Sequence, residues 1–455
     1  MASTTLRLPG LGWALLSLLL AALFSSCCLA SASPVMNGPP TTWLSAPVPA
    51  EDTAQLRVFL PSPEARDQFL WRLAGAGVSA DLTTLGFCSS RCVDLLVPEV
   101  DRQAVEAALP ADAVLRTAER NLGGRLRAER DRLAGDAHRT DFSGVTRASD
   151  FFEDFRTYAQ IEAFMDSLLA AYPEALSGFV SGRTFEGRPI RSMVLSVGGN
   201  STVVDAGRRS IHLQAGQHAR EWLSPPTLLY ILSGFLEETS GSANLPLRDL
   251  LSQFDIYITP VVNVDGYLHT WKGDRLWRKN RRVNSGSNFL GVDLNRNWGP
   301  NSTWCTEGSS TFPGSDVYCG TEAFSEPETQ AMSQLLDSLP NVALAIDYHT
   351  YGPMILYPLQ HTYDPAEGDD AAHFDHLATV MADAIRAVHG QEYEPMPGSQ
   401  LYPHSGGLID YAYYTRRIPA FTVELRGDGF IVPPSNILES GEENYRGLID
   451  ILPLL

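Results

Sequence analysis

Ser210-Ile-His-Leu-Gln-Ala-Gly-Gln-His-Ala-Arg-Glu-Trp222 starts as an apolar run and passes through Gly216 into a turn. Ser210 to Gln214 reads as a strand. The turn sets His218 three residues before Glu221, so an imidazole and a carboxylate can reach one ion. Helical spacing follows from Thr227 to Leu236. By itself His-x-x-Glu is common and is most often ordinary polarity, so its surroundings decide its meaning.

Outward from this unit, strand-like runs alternate with amphipathic helices. Ile161 to Tyr172 reads as a helix, and Arg191 to Val197 and Phe254 to Val262 as strands. Val342 to Asp347 and Ala420 to Leu425 continue as strands, with helices from Phe374 to Val388 and from Glu442 to Ile451. Such alternation predicts one large α/β domain over residues 150–455, its sheet covered by helices on both faces. Two of these strands carry polar groups that an apolar strand does not need. Val342-Ala-Leu-Ala-Ile-Asp-Tyr-His349-Thr-Tyr351 ends in a histidine, where open α/β sheets present ligand-binding groups. Phe421-Thr-Val-Glu424-Leu-Arg carries a single carboxylate, which is costly to bury unless it has a partner or works beside a metal.

Upstream lies a smaller α+β pattern over residues 54–118. Gln55 to Leu60, Val78 to Leu85, Cys92 to Val97 and Ala113 to Thr117 read as strands, and Ala65 to Ala74 and Val100 to Leu109 as helices. An Arg-rich connector follows over 119–149, read as a solvated helix running into a loop-prone end from Ala137 to Ser149. Its residues alone leave a charged linker and a protease-cut activation segment equally open.

The chain has 455 residues, 44% of them hydrophobic, which favours two or three globular units. Its net charge of −19 excludes nucleic-acid binding, which needs concentrated Lys and Arg. Residues 1–32, with Arg7, the apolar run Leu11 to Phe24 and the small residues Ala30-Ser31-Ala32, read as a secretory signal, followed by a Pro-rich linker over 33–53. No later segment is long and apolar enough to span a membrane, so a secreted, extracellular protein is expected. Cys88 with Cys92 and Cys305 with Cys319 form two close pairs, read as local disulfides in an oxidising compartment rather than as thiol catalysts or a zinc ribbon. Asn200 and Asn301 head glycosylation acceptor triplets.

From about Phe152 to its end the sequence resembles the pancreatic-type A and B metallocarboxypeptidases. The motifs are His218-Ala-Arg-Glu-Trp222, Asn263-Val-Asp-Gly-Tyr267, Arg275-Leu-Trp-Arg-Lys279, Val292-Asp-Leu-Asn-Arg-Asn-Trp298, His349-Thr-Tyr351, Tyr402, Ser405-Gly-Gly407 and Glu424-Leu-Arg426. The resemblance implies a mixed central sheet with helices on both faces, preceded by a ferredoxin-like prodomain. It implies a zinc exopeptidase, made as a zymogen, that hydrolyses the last bond of peptides and proteins and uses one zinc per chain. His218, Glu221 and His349 match the zinc ligands and Glu424 the general base. Arg278 matches the cation facing the developing oxyanion. Asn295, Arg296 and Tyr402 match the clamp on the substrate's terminal carboxylate, which arginine meets bidentately. Arg220 and Tyr351 match a more remote substrate subsite. Ile409 aligns with the floor of the side-chain pocket, which implies apolar or aromatic terminal residues over Lys or Arg. An activating endoprotease is implied, cutting between about Arg125 and Arg147, and the chain is expected to act as a monomer.

Departures are visible. His404 stands where a small residue is usual, which narrows the pocket, and its protonation at low pH would admit an acidic end. Thr350 replaces a common serine, Phe289 replaces a cysteine, and Gly352-Pro353 follows Tyr351. An inert zinc-binding relative is the alternative, and so is a hydrolase of small amidated substrates; retention of ligands, base and clamp argues against both.

Overall fold

The computed structural model describes residues 53–455 except 63–64, 66–67, 70–71, 74–75, 77–80, 84–91, 120–121, 137–138, 200–206, 241–243 and 301. The signal segment, most of the 33–53 linker, Cys88 with its expected pairing, Asn200 and Asn301 lie outside these residues.

Four strands make the first unit: β1 (Thr53–Phe59), β2 (Asp81–Thr83), β3 (Cys92–Pro98) and β4 (Val114–Glu119). They pair antiparallel in the order β2-β3-β1-β4. Leu56, Val58, Leu95 and Val97 bury one face against Phe69, Leu73 and Val105.

The second unit is built on eight strands: β5 (Leu176–Arg183), β6 (Pro189–Leu195), β7 (Arg209–Ala215), β8 (Phe254–Thr259), β9 (Val342–Thr350), β10 (Met354–Tyr357), β11 (Glu394–Pro397) and β12 (Ala420–Leu425). Their order is β11-β10-β12-β9-β7-β8-β6-β5. The centre, β12-β9-β7-β8, is parallel, and β6 and β5 continue antiparallel, so the sheet is mixed.

The period-2 alternation of the strands decides which side chains face which layer. Met193, Leu195, Ile256, Ile258, Leu344, Ile346, Phe421 and Val423 join one core, roofed by helices Tyr158–Ala171, Ser224–Thr239, Asp370–His389 and Ser435–Ile451. Their neighbours Val194, Tyr257, Ala345 and Ala420 join a second core with helices Pro327–Ser338 and Leu408–Arg416. Helix Tyr158–Ala171 starts at a capping box of Thr157 and Gln160. Helix Ser224–Thr239 starts with prolines in its first turn, where their missing N–H is harmless.

The connector differs from its expected solvated state. Helix Leu122–Leu133 docks on the second unit: Leu122 packs against Ile431, and Glu129, 5% exposed, takes the Arg275 guanidinium at 2.7 and 3.3 Å. Arg125 bonds the Ile431 carbonyl and Arg132 pairs with Asp154. Among the described residues no helix is long and apolar enough to cross a membrane.

Candidate metal centre and active site

Three neighbouring parallel strands direct their polar residues to one place. β7 leads into His218 and Glu221 through Gly216, whose φ of +68° needs glycine. β9 carries Asp347 and His349 near its C-terminal end, and β12 sets Glu424 opposite His349 in register.

His218, Glu221 and His349 are buried and their donor atoms converge. Nδ1 of His218 lies 2.8 Å from Glu221 Oε1, and Nδ1 of His349 lies 3.0 Å from both Glu221 Oε2 and His218 Nδ1. Each ring is held from behind, His218 Nε2 donating to Asp293 at 3.0 Å and His349 Nε2 to Asp347 at 2.6 Å. An ionised carboxylate only accepts, so each ring keeps its proton on Nε2 and turns the Nδ1 lone pair inward. Two lone pairs and a carboxylate aimed at one point repel one another unless a cation lies among them. Two imidazoles and one carboxylate, each imidazole backed by an acceptor, is a donor set that fits catalytic zinc.

The supports are themselves supported. Asp293 also accepts from Arg278 at 2.9 and 3.1 Å and from the Asn295 backbone N–H at 3.0 Å. Burial opposes its charge, but Arg278, His218 and Arg296 outweigh that and hold its carboxyl well below the usual range. Burial likewise opposes the Arg278 cation, and Asp293 and Glu221 more than restore it. Asp347 accepts from Gln214 at 3.2 Å and from Gln217, whose other end takes the Trp298 indole N–H at 3.0 Å. Glu424 is different: its Oε2 is buried without a hydrogen-bond partner. Burial pushes its carboxyl up to about 8, against the pull of His349.

One cavity connects these groups to Asn295, Arg296 and Tyr402. Arg296 is buried and donates to Gly308 O at 3.0 Å, to Asn295 O at 2.8 Å and to the Tyr402 hydroxyl at 2.9 Å. Gly406, with φ +79°, lets the chain pass so close that a Cβ there would lie 2.2 Å from Arg296 O. The Cys305–Cys319 disulfide closes the loop that carries Gly308, as the cysteine spacing predicts.

The expected residues thus divide. His218, Glu221, Arg278, Asn295, Arg296, Tyr402 and Glu424 line the cavity, and His349 completes the donor cluster. Arg220 does not reach it: fully buried, it meets Asp316 at 3.2 Å beneath the Phe430 ring. Tyr351 packs edge-on against Phe430, which is the lining residue on that side. Ile409 sits in the second core with Tyr411 and Ala412 and is not among the residues that line the cavity, which on that side are Leu356, Gln360, Leu401, His404 and Thr422. His404 does line the cavity, but its expected protonation at low pH is corrected: burial, with Arg296 beside it, drives its pKa well below the ordinary value.

Sequence reasoning passed over Asp293, Asp347, Gln217 and Gln360. A signal existed for Asp347, two residues before His349 on the same strand face and otherwise unexplained in an apolar run.

A family model described as zinc carboxypeptidase matches residues 161–447. Carboxypeptidase A4 of Mus musculus is 34% identical over 370 residues, covering 80% of this chain and 84% of that protein. Carboxypeptidase B of Astacus astacus is 37% identical over 301 residues, covering 65% of this chain and 94% of that protein. The crystal structure of carboxypeptidase A from Helicoverpa armigera is similar with a TM-score of 0.72 at 29% identity, over 88% of this chain and 97% of that one.

Proposed function

The chain belongs to the zinc carboxypeptidase family, and from that premise we propose that it is a secreted zymogen whose processed domain, residues 150–455, releases single residues from the C-termini of peptides and proteins. The observation that carries this reading is the single cavity in which a metal-ligating cluster and Glu424 face Asn295, Arg296 and Tyr402.

In this reading His218, Glu221 and His349 hold one zinc ion. Zinc, when bound, polarises the scissile carbonyl and makes water acidic enough to attack it. Glu424 takes the proton of the attacking water and passes it to the leaving amine; its Oε2, buried without a hydrogen-bond partner, is free for that exchange. Arg278, kept cationic by Asp293, faces the oxygen on which negative charge develops. Arg296 and Asn295 bind the free carboxylate of the terminal residue, with Tyr402 closing over it.

Neutral, apolar ends are proposed over Lys and Arg. Among the lining residues the only carboxylates are Glu221 and Glu424, both at the metal end, so a terminal cation would be buried without a partner. Residues 54–118 are proposed as the prodomain. The docking of helix Leu122–Leu133 on Ile431, beside the lining residue Phe430, supports latency before a cut between about Arg125 and Arg147.

Zinc content and amino-acid release, measured on the chain after limited proteolysis, test this reading with a peptide carrying a free or an amidated C-terminus. One zinc per chain and release from the free acid alone are expected. Equal release from the amide would overturn the role of Arg296 and Asn295.

A further inference from the structure

The cavity holds about 30 Å³ of free space over its whole extent, and beyond the metal-ligating residues it is lined by Leu356, Gln360, Leu401, His404 and Thr422. That is room for little more than a water, so any terminal side chain enters only as the lining shifts, and an aromatic ring needs the largest shift. One side chain of that lining is closely fitted. Gln360 is 1% exposed and lies between two glycines: a Cβ on Gly398 would come within 2.5 Å of its Cγ, and one on Gly407 within 2.4 Å of its Oε1. Its backbone is fixed as well, the N–H donating to Asp410 at 2.8 Å and the carbonyl accepting from His404 N–H at 2.9 Å. Asp410 in turn holds the next residue, accepting from His361 N–H at 3.1 Å and from His361 Nδ1 at 2.8 Å.

With so much effort spent on its position, the end of the side chain is left bare. Gln360 Oε1 is buried without a hydrogen-bond partner. His404, 2% exposed, donates from Nδ1 to Tyr402 O at 3.1 Å, which leaves Nε2 as an acceptor on a neutral ring. A buried carbonyl oxygen without a partner is destabilising, so a donor from water or a ligand completes it.

Resting on the exopeptidase reading above, we propose that Gln360 and His404 turn the side-chain pocket into a short hydrogen-bonding site that selects uncharged C-terminal residues bearing a side-chain donor, such as Asn, Thr and Ser, over apolar residues of the same shape. A carboxamide end pairs with the Gln360 amide, and a hydroxyl donates to Gln360 Oε1 or His404 Nε2. An apolar end of equal size displaces the water and leaves the amide bare, and a site built on hydrogen bonds rejects such analogues strongly. A large aromatic end requires the largest displacement of Gln360. Among neutral ends, the groups lining the cavity here, rather than Ile409, decide the preference.

The test uses the zinc-loaded chain after limited proteolysis and peptides that differ only in the last residue: Asn against Leu, Thr against Val, and Phe. The expected kcat/KM ratios are at least tenfold in favour of Asn over Leu and of Thr over Val, with Phe slowest. Gln360→Met, which keeps the length and removes the amide, is expected to bring the Asn-to-Leu ratio down at least tenfold. The double variant Gln360→Ala, His404→Ala is expected to raise kcat/KM for Phe, with zinc content measured on both proteins. Leu and Val cleaved as fast as Asn and Thr, or an unchanged ratio in Gln360→Met, would overturn the inference while leaving the exopeptidase in place. Release from none of the five peptides would overturn both.

Discussion

The two ends of the cavity follow opposite rules. At the metal end nearly every polar group is fixed from behind: Asp293 accepts from His218, Arg278 and the Asn295 backbone, and Asp347 from His349, Gln214 and Gln217. At the far end Gln360 is fixed by shape, between Gly398 and Gly407, and its Oε1 is left without a partner. Chemistry common to every substrate gains from groups that are already satisfied and cannot turn away. Discrimination between substrates needs the reverse, a group whose partner arrives with the right ligand. Glu424 belongs by position to the first end and by its bare Oε2 to the second.

The comparison is broken most directly at Glu424. Glu424→Gln should keep zinc while kcat falls by about 10² to 10⁴-fold, the usual worth of a positioned general base. A near wild-type kcat would mean that the bare carboxylate is not the proton carrier. Asp347→Asn tests the supports: zinc affinity, read by competition with a chelator, should weaken by about 10- to 100-fold. Unchanged affinity would show that the partners behind the imidazoles are idle. The smallest effect belongs to the docked connector. Glu129→Ala in the uncut chain removes the carboxylate that holds Arg275 and should raise its residual hydrolysis of small peptides several-fold. No rise would leave the helix as a linker that merely lies on the surface.

His218, Glu221 and His349 were legible as a set through the family resemblance; their own pattern, a pair at short spacing after one strand and a histidine near the end of another, left ordinary polarity open. The paired supports were half legible. Asp347 shares a strand face with His349, but the link from His218 to Asp293 crosses 75 positions and depends on how two loops meet. The central strands announced themselves by apolar alternation, whereas β5, β10 and β11 did not. β5 contains two glycines, β10 and β11 are four residues each, and β11 contains two prolines at the sheet edge, where a missing N–H is tolerated. The connector was taken for a solvated helix because charge runs usually are. Glu129 finds Arg275 across 146 positions, and no local pattern encodes that. Gln360 escaped notice for a related reason: whether Ile409 or Gln360 faces the cavity depends on the space that two distant glycines leave open.

The parallel pairing of β7, β9 and β12 also bears on when activity begins. Gln214 and Asp347 touch from 133 positions apart, and Glu424 lies on a strand near the end of the chain. Joining such distant segments carries a large loop-closure cost and is among the slower events of folding. A growing chain that has not yet reached β12 lacks both Glu424 and the strand that joins β9 to β10. The cavity therefore comes together only after β12 has been synthesised, later than the strands that lead to His218 and carry His349.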